Sequence, residues 1–568
     1  MKILNKIKNN KAILVLLLVT TLFISCDDYL DVNTDTDNPT VAPLNLLLTN
    51  IQVSLGDIND YNNFTGTLVS VYTHQSTSRE EQDQYGIRSS NIAMDNDWNN
   101  VYLTLTNIQT LIDQGTASGD LVYVGIAQIQ KAYLMSFAVD LWGDVPYSEA
   151  TQLQAGIVSP KFDDQKEVYN AVFELLKQGK ANIASNAGSQ KPTKDDLFYS
   201  GDKAKWIRFA NSYQLKLYNQ VRLTSTFDQA GFDALVAENN FMTTLADDFQ
   251  MYRTKNLSPS DERNAFYLES YNSTQFGSYQ SPWFYEILKG MNPEIHTDNP
   301  DPRIPYYFFN QLKPGQFPPD TGNTTTGNPG ADYWDQSTGF FSIRFGSTGP
   351  DRDKSAENSY TYPGIFPAGG RYDDKKGGAV DGTTKWATGI APHRIFTYAE
   401  FLYVQAELMQ VGKLSGDVAA KLEQALNASF AKVDEVVVKN ASTQTIPKLV
   451  ASEAVTIFKT KILAEFAEGS ADKKLQVIMT QKWVATMGDP MDQYTDYRRT
   501  GFPILADPYS LKKEYQLNND DGFPLNDAQT VQNNKFQHSF FWPQDELNVN
   551  QNAPAQKDPA TYKIFWAK

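Results

Sequence analysis

Apolar residues recur at intervals of three and four along several stretches of the chain, the spacing that places them on one face of an α-helix. This periodicity predicts helices over 119–141, 164–183, 203–222, 396–411 and 473–487. Gly412 directly follows one of these stretches, as expected where a helix ends. Strand-like alternation of apolar and polar residues is scarce. The pattern therefore predicts a mainly α fold made of helix pairs.

The segment 251–394 has a different composition, because it holds much of the glycine, proline, asparagine and aromatic content of the chain. A loop-rich segment this long is uncommon inside a compact domain unless it carries function. Loops on a rigid scaffold often carry binding residues. We therefore expect one domain over 41–568, with a helical scaffold over about 41–250 and 395–505 and a ligand-binding elaboration over about 251–394.

The first 25 residues predict a signal peptide. Four lysines precede fourteen uncharged residues, 12–25, and this run is shorter than the roughly 20 apolar residues that cross a bilayer. It ends in Phe23-Ile24-Ser25-Cys26, which is similar to a bacterial lipobox. The sole cysteine, Cys26, is then the expected lipidation site and 26–40 the tether. The alternative is an ordinary signal peptide with an incidental cysteine.

Charge and motifs argue against several classes of protein. The formal net charge of −16 disfavours nucleic acid as a partner. No metalloprotease, P-loop, dinucleotide or nucleophile-elbow motif occurs, so we predict no catalytic residue and no cofactor. Residues 31–42 begin like a calcium loop, but Thr36 replaces its glycine and Ala42 its final glutamate. We therefore predict no metal site.

Several segments, taken in order, resemble the SusD/RagB family of Bacteroidetes outer-membrane lipoproteins. The segments are CDDYLDVNTDTDNPT (26–40), LWGDVPYSEA (141–150), PKFDDQKEVYNAVFELL (160–176), YSGDKAKWIRFANSYQLKLYNQV (199–221), NPDPRIPYYF (299–308), FTYAEFLYVQAEL (396–408), QKWVATMGDPMDQYTDYRRTGFP (481–503) and FWPQDELNVNQNAP (541–554). The resemblance implies tetratricopeptide-like helix pairs that support a variable binding region. It also implies a non-catalytic protein on the outer face of the outer membrane, where Asp27 and Asp28 resemble a surface-targeting signal.

The same resemblance implies a partner and a ligand class. The partner is a SusC-like TonB-dependent transporter, and the ligand is an oligosaccharide or, in some members, a peptide. The absence of a dense Lys/Arg cluster in the elaboration favours a neutral glycan, such as a β-glucan, over sulfated or uronic chains. A cell-surface glycoside hydrolase stays open as a further alternative, because the spacing of carboxylates in sequence cannot test for a catalytic pair.

Sugar rings stack on exposed aromatic plates and hydrogen-bond to polar groups at their rim. The expected plates are aromatic residues of the elaboration: Trp283, Trp334, Tyr279, Tyr333 and Trp386. The expected rim partners come from an early polar segment: His74, Gln75 and Asp83. The alternative is that the rings fill a small local core. We assign Trp206 and Trp483 to the core, and Arg498 and Arg499 to a helix C-terminus, where cations complement the dipole.

Overall fold

The structure, a computed structural model, describes residues 42–61, 63–272, 277–319, 333–347, 358–380, 387–507 and 534–568. Its helices are α1 (Leu44–Asp57), α2 (Phe64–Tyr72), α3 (Ile92–Ser118), α4 (Leu121–Trp142), α5 (Gln165–Ser185), α6 (Lys203–Val221), α7 (Gln229–Glu238), α8 (Ala265–Tyr271), α9 (Pro282–Lys289), α10 (Ile304–Tyr307), α11 (Ile365–Ala368), α12 (Tyr398–Gln410), α13 (Val418–Asn440), α14 (Glu453–Glu468), α15 (Ala471–Ala485), α16 (Met491–Thr500) and α17 (Gln544–Val549). The mainly helical fold predicted from periodicity is confirmed.

The strands are short, and within the described residues each pairs with one antiparallel partner. They are β1 (Ser76–Thr77), β2 (Val145–Pro146), β3 (Phe162–Asp163), β4 (Phe249–Met251), β5 (Tyr279–Gln280), β6 (Phe308–Phe309), β7 (Tyr333–Asp335), β8 (Phe340–Ser342), β9 (Tyr362–Pro363) and β10 (His393–Phe396). The pair β4–β10 joins the two ends of the loop-rich segment, with His393 opposite Met251.

Helix α4 is the centre of the N-terminal scaffold, buried along nearly its whole length between α3 and α5. It meets α5 at two glycines. A Cβ on Gly125 would lie 2.5 Å from the carbonyl oxygen of Gly179, and a Cβ on Gly179 would lie 2.8 Å from that of Gly125. The two backbones therefore approach each other more closely than any larger residue allows. Helix α4 ends at Gly143, whose φ of +77° suits a residue without a Cβ.

The helix predicted over 396–411 is α12, which begins two residues later than predicted. Thr397 and Glu400 form a capping box at its start, and Phe396, expected in this helix, instead pairs with Phe249 in the β4–β10 ladder. Residues 534–568 then return to the N-terminal half, where the Phe540 amide donates to the Leu141 carbonyl at 2.7 Å. Trp206 and Trp483 are buried, as predicted.

A network of buried charges joins α6, α12, α15 and α16. Lys216 pairs with Asp492 at 2.7 Å, Lys482 pairs with Asp496 at 2.7 Å, and Arg499 holds the buried carboxylate of Glu407 through both its terminal nitrogens. These side chains are nearly inaccessible to solvent. The network fixes the relative positions of the helices from both halves of the scaffold.

Arg498 and Arg499 belong to the scaffold, but not mainly through the helix dipole. Both are buried rather than exposed at the end of α16. Arg498 lies over the ring of Tyr494, 3.7 Å from its centre, and donates to the carbonyl of Asp140 at 2.7 Å. Both lie in the last turn of α16, as predicted, and distant segments supply their further partners.

Candidate functional site

The elaboration and the loop after α13 form a polar cleft of about 340 Å³. Its lining residues are Arg371, Asp374, Lys376, Gly377, Gln444 and Thr445. Two segments about 70 residues apart in sequence thus meet at one concave surface. We refer to these six residues as the polar cleft.

Neighbouring residues hold both walls of the polar cleft in place. The guanidinium of Arg371 lies 4.0 Å from the centre of the Phe309 ring. Gln444 exchanges two hydrogen bonds with the backbone of Tyr372, each 3.0 Å long. The hydroxyl of Tyr306 donates to the carbonyl of Pro447 at 2.7 Å, next to the wall that Gln444 and Thr445 form. The cleft is therefore built on supported backbone rather than on free loops.

Two of the three charged residues of the polar cleft pair with each other. Lys376 binds Asp374 at 2.7 Å. Burial raises the pKa of Asp374, but the hydrogen bonds from Lys376 outweigh it, so the pKa lies below its usual value. Beneath the cleft, burial raises the pKa of Asp373 to about 6, although the amide of Lys375 and the side chain of Asn310 donate to it. This ion pair and the polar residues beside it suit a ligand that presents hydroxyl groups.

Tyrosine rings surround this region. Tyr306 and Tyr372 meet edge to face with 4.9 Å between ring centres. Tyr267 and Tyr271 are stacked at 4.9 Å with nearly parallel planes, and the Tyr271 hydroxyl accepts the backbone amide of Arg371 at 3.1 Å. Tyr372 and Tyr271 are only partly buried, so aromatic surface accompanies the polar lining.

The four aromatic residues expected as exposed plates are in the interior. Trp283, Trp334, Tyr279 and Tyr333 are between 1% and 3% exposed. Trp283 lies on α9 and donates its indole N–H to the carbonyl of Ile504 at 2.9 Å, and Tyr333 donates to Glu286 at 3.0 Å. A ring must be accessible to stack on a sugar, so the expectation that these rings face solvent is wrong.

Tyr279 and Trp334 instead belong to a small separate core, the alternative raised above for the loop aromatics. Its other members are Leu312, Phe341, Ile343 and Tyr360. The strand pair β7–β8 brings Trp334 opposite Phe341. These rings stabilise the elaboration from within.

The three expected rim residues are also buried. His74 stacks on Phe345 with 4.2 Å between ring centres, and burial lowers the pKa of His74 to about 3. Gln75 donates to the carbonyl of Trp483 at 2.6 Å, and Asp83 accepts the amide of Gly346 at 2.9 Å. These side chains connect the early polar segment to the rest of the fold, and none of the three is accessible to a ligand.

Four other residues with predicted roles lie outside the described residues: Trp386, Cys26, Asp27 and Asp28. Their roles stay predictions. Within the described ranges, no group of three or more His, Cys, Asp or Glu side chains could hold a metal ion. No helix in this part of the chain combines the length and the apolar character needed to cross a bilayer.

The residues of the polar cleft were missed because their local sequence predicts only a solvated turn. RYDDKKGG (371–378) mixes both signs of charge and lacks tryptophan. Nothing in the sequence connects it with Gln444 and Thr445, which follow a separate helix. A weak signal was available in the glycine pair after the charges, which permits a tight turn.

Comparison with known proteins identifies the family of this chain. A family model described as starch-binding and associating with the outer membrane, SusD-like, matches residues 36–524. A search of curated proteins finds no match. Among solved structures, a SusD homologue from Bacteroides fragilis NCTC 9343 is 17% identical, with a TM-score of 0.64 over 92% of this chain and 99% of that one.

Two further structures share the fold at similar distance. One, described as a chitin-binding protein, is 19% identical with a TM-score of 0.65 over 93% of this chain and 100% of that one. A SusD/RagB family protein from Bacteroides thetaiotaomicron VPI-5482 is 19% identical with a TM-score of 0.63 over 90% and 95% of the two chains. At these identities the structures show the fold, and the family match covers most of the sequence. The chain belongs to the SusD-like family.

Proposed function

We propose that this protein captures oligosaccharides at the cell surface and delivers them to a SusC-like TonB-dependent transporter while anchored through a lipid on Cys26. The family is one of nutrient- or glycan-binding proteins of the outer membrane. Its members are binding proteins rather than enzymes. The lipid anchor and the transporter are carried over from the sequence resemblance.

The polar cleft is the observation that carries the binding part of the proposal. Its volume of about 340 Å³ falls within the range of roughly 300–1,000 Å³ typical of small-ligand sites. Lys376 and Thr445 are exposed in its lining and present donors and an acceptor that suit sugar hydroxyls.

Asp374 and Lys376 neutralise each other, and we favour a neutral glycan, of which β-glucan is one candidate. Chitin, the polymer for which one structural relative is named, is also neutral. The second candidate function is peptide binding, the alternative ligand class that the sequence resemblance implies.

Affinity electrophoresis of the soluble mature protein against a panel of neutral and acidic glycans tests the proposal, with a reducing-sugar assay run beside it. We expect retardation by at least one neutral glycan and no release of reducing ends. Retardation by no glycan, together with binding of peptides, would favour the second candidate. Release of reducing ends would overturn a binding-only function.

Matched variants connect retention to the polar cleft. Thr445→Val and Lys376→Gln change residues that line it, whereas Thr443→Val and Lys375→Gln change exposed neighbours that do not. Each lining variant should weaken binding roughly two- to tenfold, the effect of losing one net hydrogen bond, and the neighbours should leave it unchanged. Equal effects within each pair would remove the cleft from the site. Co-purification of a TonB-dependent barrel from outer membranes tests the delivery step separately.

A further inference from the structure

A second concave surface lies on the N-terminal scaffold, away from the residues of the polar cleft. It is a groove of about 190 Å³, formed where α3, the segment from β2 to Pro160, and α17 meet. Its walls are largely apolar: Trp98, Tyr102, Pro146, Ala150, Val158, Pro160 and Val549, with Thr106, Thr151, Glu546 and Asn550 completing the lining. We call this surface the apolar groove.

The rim of the apolar groove exposes aliphatic side chains. Val158 and Val549 are 75% and 74% exposed, and Leu153 is exposed in the same loop as Val158. That loop begins at Thr151, a β-branched residue with a φ of +65°, which is a strained conformation for its type. The fold thus holds a loop in an unfavourable backbone geometry while presenting apolar side chains to water. Exposed apolar surface rimmed by polar residues is characteristic of protein interaction sites.

Four of the polar side chains that line the apolar groove, those of Tyr102, Thr106, Glu546 and Asn550, have partners within the protein. The Tyr102 hydroxyl donates to the Pro146 carbonyl at 2.9 Å, and the Thr106 hydroxyl donates to the Tyr102 carbonyl at 2.9 Å. The Asn550 amide donates to Pro160 and to Glu546, each at 2.8 Å. Few groups are left for sugar hydroxyls, and the volume is below the roughly 300 Å³ at which small-ligand sites begin. The groove suits an apolar side chain better than a glycan.

The charge around the apolar groove is negative. Glu546 lines it, Asp545 precedes Glu546 on α17, and Asp95 lies one turn before Trp98 on α3. Burial and the neighbouring Asp545 raise the pKa of Asp95. Within the described part of the chain, no lysine or arginine nitrogen lies within 4.0 Å of these three carboxylates. A basic group from another molecule would therefore be attracted here.

We propose that the apolar groove is the docking site for a partner protein that inserts one apolar side chain between Tyr102, Val158 and Val549 and places a Lys or Arg beside Glu546. The inference does not depend on which ligand the polar cleft binds, because the two surfaces share no residue.

Site-specific photocrosslinking in intact outer membranes tests this docking site, using full-length protein with a photoreactive amino acid at position 549 or 158. We expect an adduct whose partner peptide, mapped by mass spectrometry, holds an apolar residue next to a Lys or Arg. Glu546→Lys should lower the adduct yield by about tenfold, because like charges then face each other, and Glu546→Gln should lower it less. A photoreactive residue at Val438, which is 72% exposed on α13, should give no adduct with that partner.

Three results would overturn the proposal. The first is the absence of a protein adduct at both 549 and 158, and the second is an adduct only with glycan or with this chain itself. The third is an adduct whose yield is unchanged by Glu546→Lys. Calorimetry of the Glu546 variants separates loss of docking from loss of fold, since a surface carboxylate with one side-chain hydrogen bond should leave the melting temperature unchanged.

Discussion

Glu407→Gln is the most informative single change in the scaffold, because it removes one charge from the buried network and keeps the shape of the side chain. The carboxylate accepts from Arg499 and Asn219, each at 2.7 Å, and lies 3.2 Å from Arg222. Without it, Arg499 keeps its pair with Asp496 at 2.8 Å, and Arg222 keeps hydrogen bonds to the carbonyl and the side-chain oxygen of Asn219. Breaking a buried pair by removing one partner costs about 3–5 kcal/mol.

Differential scanning calorimetry measures this cost. With an unfolding entropy of about 2.1 cal/mol/K per residue, a chain of 568 residues loses roughly 1 °C of melting temperature for each 1.2 kcal/mol. Glu407→Gln should therefore lower Tm by about 3–4 °C. The control is Glu423→Gln, which breaks a 2.8 Å pair with Lys459 at a glutamate that is 43% exposed. That pair should be worth at most about 1 kcal/mol and shift Tm by about 1 °C or less.

The pH dependence gives a second test of the same network. Burial alone would raise the pKa of Glu407, but the charges and hydrogen bonds of Arg499, together with Arg222, lower it to about 2. A carboxyl whose folded pKa is depressed stabilises the fold fully above its unfolded pKa and loses that contribution as pH falls through the folded value. The Tm difference between the parent and Glu407→Gln should therefore shrink below about pH 4.5. Equal shifts for Glu407→Gln and Glu423→Gln, or a difference that grows in acid, would refute the argument.

Three further changes test other parts of the structure. Gly179→Ala should lower Tm by about 1–2 °C in calorimetry, since overpacking against Gly125 costs about 1–3 kcal/mol; an unchanged Tm would show that α4 and α5 can separate freely. Trp283→Ala should lower Tm by about 3–4 °C through loss of a buried indole, and a normal Tm with lost glycan retention would restore this residue to the binding site. Burial raises the pKa of Glu465, but His296 and Lys473 lower it to about 2. The stability that Glu465→Gln loses, measured by denaturant titration, should therefore diminish from pH 5 toward pH 2.

Helix periodicity succeeded because a helical face is a local property of the sequence. The predicted stretch 203–222 corresponds to α6 (Lys203–Val221) to within one residue. The prediction that Phe396 belongs to a helix failed for the opposite reason, because its strand partner, Phe249, is almost 150 residues away. A short strand has no periodicity of its own to detect, so only the assembled fold shows the pair.

The candidate site was harder to predict because composition does not distinguish an exposed ring from a buried one. Trp334 stands between a tyrosine and an aspartate in a glycine-rich setting, yet Phe341 and Tyr360 enclose it from later segments. The residues that do line a cleft, such as Lys376 and Thr445, are small or charged and lack any spacing signal. Sequence reasoning thus favoured the elaboration as the binding region but chose its core residues instead of its surface.

The antiparallel pair β4–β10 has a consequence for how such a protein can change. Because Met251 and His393 lie opposite each other, the loop-rich segment between them leaves and rejoins the scaffold at a single point. The entropy of closing a loop grows slowly with its length, by only about 0.6 kcal/mol per doubling. Changes in the length of its loops can therefore be tolerated, whereas the core that it shares with α12, α13, α14 and α15 has to be kept. The segment is thus free to vary at its loops and is held where it packs on the scaffold, as Trp283 is by its hydrogen bond to Ile504.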